Sequence, residues 1–131
     1  MIALDTSVVV RYLVGTPVAE ARRAHALVDG PSDLALPLVT IVETAHVLRS
    51  VYAIPPDRIV DALLELVQRE DVVVLGMPAP VVVESLVAAR GLPGRPIPDA
   101  LIAGAARQAG AVPIATFDRG MRRYGVPTVQ P

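Results

Sequence analysis

Short, continuously apolar stretches that alternate with longer helical patterns are the feature that most constrains how this chain folds. Such stretches are typical of strands in a parallel sheet that is covered on both faces. We predict an α/β fold with three layers, in which a short, mainly parallel central sheet is flanked by helices. The predicted strands are 1–4, 33–37, 71–76, 112–117 and 127–129. The predicted helices are 6–14, 18–30, 40–53, 57–70, 79–91 and 99–110, with a loop at 92–98 and a short turn or helix before the last strand.

The length of 131 residues suits one domain, 1–131, with a single core. No apolar run reaches the roughly 18 residues that a membrane span needs, and the start MIALDTSVVV lacks the basic residues of a secretory signal. We therefore expect a cytoplasmic protein with no membrane association. Apolar residues make up 53% of the chain and the mean hydropathy is +0.52. These values predict apolar surface that a partner or a second copy covers.

Cysteine and lysine are both missing, and their absence removes several kinds of chemistry. Without cysteine the chain has no disulfide, no thiol nucleophile and no thiolate zinc site. Without lysine it has neither a phosphate-loop lysine nor a Schiff-base residue. The net charge of −1 also argues against a protein that coats nucleic acid through a strongly basic surface.

Four acids stand at predicted helix starts, on the side where the strands end. Asp5 and Asp118 each follow a predicted strand and suit a helix N-cap. Asp99 suits the first turn of its helix, and Glu43 stands three residues after Thr40, which is the spacing of a capping box. Capping accounts for each acid taken singly.

Taken together, the four acids point to a metal site. The carboxyl ends of neighbouring parallel strands line one crevice, and carboxylates gathered there repel unless a cation accompanies them. Because lysine is absent, a divalent cation is the natural partner, and oxygen-only ligation favours Mg²⁺ or Mn²⁺.

The blocks LDTSVVVRYL, IVETAHVL, IPDALIAGAA and IATFDRGMRRY occur in the order found in PIN domains. The chain resembles that family over most of its length, and most closely its VapC-like ribonuclease toxins of toxin–antitoxin pairs. The resemblance implies that Asp5, Glu43, Asp99 and Asp118 form an acidic metal cluster, with Asp5 and Asp99 as the main ligands. It also implies that the hydroxyls of Thr6 and Thr116 support the site.

The activity implied by the resemblance is metal-dependent endoribonuclease cleavage, in which a metal-bound water attacks phosphorus and leaves a 5′ phosphate. A cognate antitoxin and a homodimer are the implied protein partners. Two alternatives stay open: a PIN-like module that binds a partner and cuts nothing, and a phosphoacceptor signalling domain, although the latter normally uses a lysine. The candidate contacts to the RNA backbone are Arg11, Arg95, Arg119, Arg122 and Arg123.

Overall fold

The computed structural model describes all 131 residues as a mixture of short parallel strands and helices. The strands are β1 (Ile2–Ala3), β2 (Leu34–Pro37), β3 (Val72–Leu75), β4 (Ile114–Ala115) and β5 (Thr128–Val129). The helices are α1 (Thr6–Val14), α2 (Val18–Val28), α3 (Leu38–Ser50), α4 (Pro56–Val67), α5 (Ala79–Ala89) and α6 (Pro96–Ala109), followed by a 3₁₀ helix, Arg119–Tyr124. The predicted α/β fold is confirmed, and no helix is long and apolar enough to cross a bilayer.

Every strand pairing is parallel, but the strands form two sheets. One sheet has the order β1-β2-β3, with Ile2 opposite Leu34 and Leu34 opposite Val72. The other contains only β4 and β5. The amide of Ile114 donates to the Pro127 carbonyl, so β4 is hydrogen-bonded to β5 rather than to β1. The acids that follow β1 and β4 are therefore not held in one backbone ladder.

The core packs around β2, which has helices against both of its faces. Leu34 and Leu36 are completely buried, as expected for the central strand of a parallel sheet. Helices α5 and α6 approach each other closely at Gly104. A Cβ at that position would overlap the Ser85 hydroxyl, so only glycine fits there without a shift. Asp99 lies in the first turn of α6, the helix that this contact packs against α5.

The guanidinium of Arg69 forms several hydrogen bonds at the edge of the sheet where β2 and β3 begin. Arg69 donates to the carboxylates of Asp29 and Asp71, to the Tyr12 hydroxyl and to the Val28 carbonyl, at 2.9 to 3.3 Å. The positive charge of Arg69 lowers the pKa of both aspartates through these hydrogen bonds. One positive charge thus offsets part of the negative charge of two carboxylates at this amino edge of the sheet.

Two predicted helix starts are wrong, and proline explains both. Helix α3 begins at Leu38 rather than at residue 40, directly after Pro37. Thr40 therefore lies inside the helix, its hydroxyl donates to the Leu4 carbonyl at 3.0 Å, and no capping box with Glu43 forms. Helix α6 begins at Pro96 rather than at 99, since the first turn of a helix tolerates a residue without a free amide hydrogen.

Candidate functional site

Asp5 caps helix α1 at the carboxyl end of β1, as the sequence predicts. Its carboxylate accepts the Ser7 hydroxyl at 2.9 Å and the Ser7 amide at 3.4 Å. The hydrogen bond from the Ser7 hydroxyl, followed by that from the Ser7 amide, lowers the pKa of Asp5. Asp5 is therefore an exposed, ionised carboxylate, and its neighbour Thr6 is buried as the first residue of α1.

Asp99 has a less favourable environment than Asp5. It lies partly buried in the first turn of α6, and no hydrogen bond to its side chain is formed within the chain. Burial raises the pKa of Asp99, and the negative charge of Asp118 raises it further. The fold thus holds an acid where its ionised form is disfavoured, which is a common property of functional sites.

Asp118 is fixed by a tight turn between β4 and the 3₁₀ helix. Its Oδ1 accepts the Gly120 amide at 2.7 Å, and its own amide donates to the Thr116 hydroxyl at 3.0 Å. Thr116 therefore supports the backbone that carries Asp118. Asp118 is exposed to solvent.

Asp99 and Asp118 share a cavity of about 270 Å³. The burial of Tyr124, and after it the charge of Asp99, raises the pKa of the Tyr124 phenol, which also lines this cavity. None of the chain's ion pairs uses Arg95 or Arg123, the two arginines of the cavity wall. The cavity therefore combines two carboxylates with two unpaired guanidinium groups. The complete lining is Pro93, Gly94, Arg95, Asp99, Asp118, Gly120, Arg123 and Tyr124.

The structure does not bring all four predicted acids together. Neither Asp5 nor Glu43 lines the cavity that Asp99 and Asp118 share, and Glu43 is exposed on α3. No three acidic or histidine side chains of the chain lie close enough to hold one metal ion. The pair Asp99 and Asp118 is thus the part of the predicted cluster that the fold assembles.

The candidate arginines divide into three groups. Arg11 forms hydrogen bonds outside the carboxylate cavity. Its Nε donates to Glu20 at 2.6 Å and its Nη1 to the Tyr52 hydroxyl at 3.3 Å. Arg95 and Arg123 line the carboxylate cavity. Arg119 and Arg122 line a neighbouring cavity of about 210 Å³, which also contains Asp118.

Sequence reasoning gave no role to Tyr124 or to Phe117. Tyr124 is 8% exposed and contributes its ring to the wall of the carboxylate cavity. Phe117 is 76% exposed beside Asp118, although the apolar run 112–117 predicts a strand through that residue. The strand in fact ends at Ala115, and nothing in the local sequence pattern shows that the ring is left in solvent.

The fold and the site together define a small α/β domain with a cavity in which carboxylates and arginines meet, an arrangement suited to a divalent cation and a phosphate ester. The model of the PIN domain family matches residues 2–127. The chain therefore belongs to the PIN domain family. PIN domains are generally metal-dependent nucleases that act on RNA, so membership of the family indicates a nuclease-type function. No curated protein matches the sequence.

Proposed function

We propose that this chain is an Mg²⁺-dependent or Mn²⁺-dependent endoribonuclease whose site is centred on Asp99 and Asp118. The observation that carries the proposal is the environment of Asp99. Burial and the charge of Asp118 both disfavour its ionised form, and a bound cation would reverse that cost by giving the two carboxylates a counter-charge.

The donor set fits a hard divalent cation. Mg²⁺ is commonly held by one or two carboxylates while it retains several waters and binds the substrate phosphate. Asp99 and Asp118 would hold the ion, and Asp5 and Glu43 would complete the site through bound water. When bound, the ion would acidify a water and stabilise the charge that develops on the phosphate.

Arg95 and Arg123 have the chemistry to bind the phosphate that is cleaved. Each is a permanently charged group on the wall of the carboxylate cavity, and neither is paired within the chain. Charge-assisted hydrogen bonds from the two guanidinium groups would hold the RNA backbone against Asp99 and Asp118. Thr116 keeps Asp118 in place through the backbone hydrogen bond described above.

We further propose that the chain acts in the cytoplasm as the toxin of a toxin–antitoxin pair. A mainly apolar cavity of about 240 Å³ adjoins the site, and Arg95 lines both cavities. An antitoxin segment with apolar side chains would fill this cavity and present a basic residue to Asp99 and Asp118. The exposed apolar residues Val39 and Val51, at 75% and 68%, support a homodimer contact on or after α3.

The test is RNA cleavage by the purified chain with Mg²⁺, with Mn²⁺ and with EDTA. Asp99→Asn and Asp118→Asn should each lower the rate by at least about a hundredfold, because each removes an anionic ligand of the ion that would activate the water and stabilise the charge on the phosphate. Asp33→Asn is a matched control, since Asp33 is exposed and lies outside the described cavities. Products with a 5′ phosphate would agree with attack by water.

One observation favours the alternative of a PIN domain that binds a partner without cutting RNA. The chain assembles two of the four expected acids rather than three or more. Asp5→Asn addresses this point directly, since a cleavage rate that falls with Asp5→Asn as it does with Asp99→Asn would show that Asp5 also acts. Absence of metal-dependent cleavage over all RNAs tested, together with tight partner binding, would instead establish the binding module.

A further inference from the structure

Phe117 is an exposed aromatic residue next to a carboxylate of the proposed site. It is the only phenylalanine of the chain, and 76% of its surface is open to solvent. An exposed aromatic ring suggests a binding role more strongly than an exposed aliphatic side chain does, because burying an aromatic ring normally contributes strongly to stability. The ring therefore calls for a reason to remain outside the core.

The backbone on both sides of Phe117 is held in place. The Thr116 amide donates to the Val129 carbonyl at 3.0 Å, and the Asp118 amide donates to the Thr116 hydroxyl at 3.0 Å. The Gly120 amide then donates to the Asp118 carboxylate at 2.7 Å. Because these bonds fix the turn, the ring is presented from a rigid backbone, and the turn loses little conformational freedom when a ligand binds.

The surroundings of Phe117 are positively charged and rich in hydrogen-bonding groups. Its cavity of about 210 Å³ is also lined by Arg119, Arg122, Thr128 and Gln130. The side chain of Arg119 forms no hydrogen bond or ion pair within the chain. The side chain of Arg122 forms one hydrogen bond, to the Thr128 hydroxyl, at 3.4 Å. Asp118 lines both this cavity and the carboxylate cavity, so the two are contiguous.

We propose that Phe117 stacks on an unpaired base of single-stranded RNA, next to the nucleotide whose phosphate enters the Asp99–Asp118 cavity. An exposed ring beside free arginines is the combination that binds single strands, because every base offers a π face and each phosphate attracts a guanidinium. Arg119 and Arg122 hold the backbone of the stacked nucleotide. This inference rests on the proposed RNA substrate and adds where, and in what form, the RNA binds.

The experiment measures RNA binding separately from cleavage. Binding of a labelled single-stranded oligoadenylate is measured with EDTA present and on an Asp99→Asn background, so that no RNA is cut. Phe117→Ala should weaken binding by about 5-fold to 150-fold. Phe117→Leu, which keeps an apolar side chain and removes the ring, should weaken it similarly, whereas Phe117→Tyr should retain it. Val87→Ala on α5 is the matched control, since Val87 is 54% exposed and lies outside the described cavities.

A spectroscopic readout identifies the contact itself. The chain contains no tryptophan and three tyrosines, so Phe117→Trp introduces a single tryptophan at the proposed platform, whose emission can be excited separately from that of the tyrosines. Single-stranded RNA should quench its emission as the base stacks, while a duplex of the same length should not, because its bases are already stacked. Val87→Trp should show no quenching by either RNA.

Equal RNA affinity of the Phe117→Ala and parent proteins would overturn the inference. So would a shift of Phe117→Ala from dimer to monomer with unchanged RNA binding, since the ring would then belong to a contact between copies. Normal cleavage by Phe117→Ala together with unchanged RNA affinity would leave the proposed nuclease intact and refute only the stacking. Binding that depends on Phe117 in a chain that never cleaves RNA would refute the nuclease and preserve the stacking.

Discussion

Two threonines one turn apart on α3 should respond in opposite directions to the same substitution. Thr40 and Thr44 are both buried, at 7% and 0% exposure. The Thr40 hydroxyl donates to the Leu4 carbonyl at 3.0 Å, whereas the Thr44 hydroxyl has no hydrogen-bond partner. Replacing either residue by valine keeps the branched shape and exchanges the hydroxyl for a methyl group. Since threonine and valine have similar helix propensities, the hydroxyl alone decides the outcome.

Thr40→Val removes a hydrogen bond and leaves the Leu4 carbonyl without its donor, which costs about 1–3 kcal/mol. Thr44→Val removes a hydroxyl that was buried without a partner, which should stabilise the fold by about 1 kcal/mol or more. The free energies of unfolding of the two variants should therefore differ by at least about 2 kcal/mol. For a chain of 131 residues, each kcal/mol corresponds to roughly 3–4 °C in melting temperature.

The assay is equilibrium unfolding in urea, with equal m-values required before the free energies are compared. We expect Thr40→Val to unfold at a lower urea concentration than the parent. We expect Thr44→Val to unfold at a higher one. A destabilised Thr44→Val would show that its hydroxyl has a partner in solution and would refute the reasoning. Because Leu4 directly precedes Asp5, Thr40→Val should also disturb the end of β1.

Three further changes test the packing and the charge of the site. Gly104→Ala should lower stability by about 1–3 kcal/mol, because its new methyl group overlaps the Ser85 hydroxyl, and adding Ser85→Ala should restore it in denaturant titrations. Asp99→Asn should raise the melting temperature at neutral pH and converge with the parent in acid. The pKa of Asp99 is raised in the folded state, so the parent loses stability as the pH climbs from an aspartate's ordinary 3.8 through that raised value. Mg²⁺ at a hundred times its dissociation constant should stabilise the parent by about 2.7 kcal/mol in thermal melts, and should have no such effect on Asp99→Asn.

The sequence predicts the architecture well because the buried strands have a simple pattern. The run Leu34–Pro37 is apolar throughout and its first three residues are buried, as a strand covered on both faces requires. The run Val72–Leu75 is equally apolar, but Val73 and Leu75 are 45% and 43% exposed, so the expectation that β3 is covered on both faces is wrong. Gly15 and Gly110 end their helices in the left-handed conformation that glycine adopts easily. Asp5 also caps its helix as predicted, since a cap depends on neighbours only two residues away.

Features that depend on contacts between residues far apart along the chain could not be predicted from the sequence. The spacing of Thr40 and Glu43 suggests a local cap, but the Thr40 hydroxyl is used by Leu4, 36 residues away along the chain. Arg11 looks free until the fold brings Glu20 to it. The order of the strands likewise does not reveal whether β4 pairs with β1 or only with β5. For that reason the sequence predicts one cluster of four acids, whereas the fold brings only Asp99 and Asp118 of these four to one cavity.

The parallel strand pairings also determine where labels can be attached to the protein. Met1 precedes β1 at the edge where the strands begin and where Arg69 pairs with Asp29 and Asp71. Gln130 directly follows β5 and lines the cavity of Phe117. A purification tag, dye or surface linker placed before Met1 therefore leaves the proposed RNA path open, whereas the same group joined to Pro131 would start one residue from the lining of that cavity.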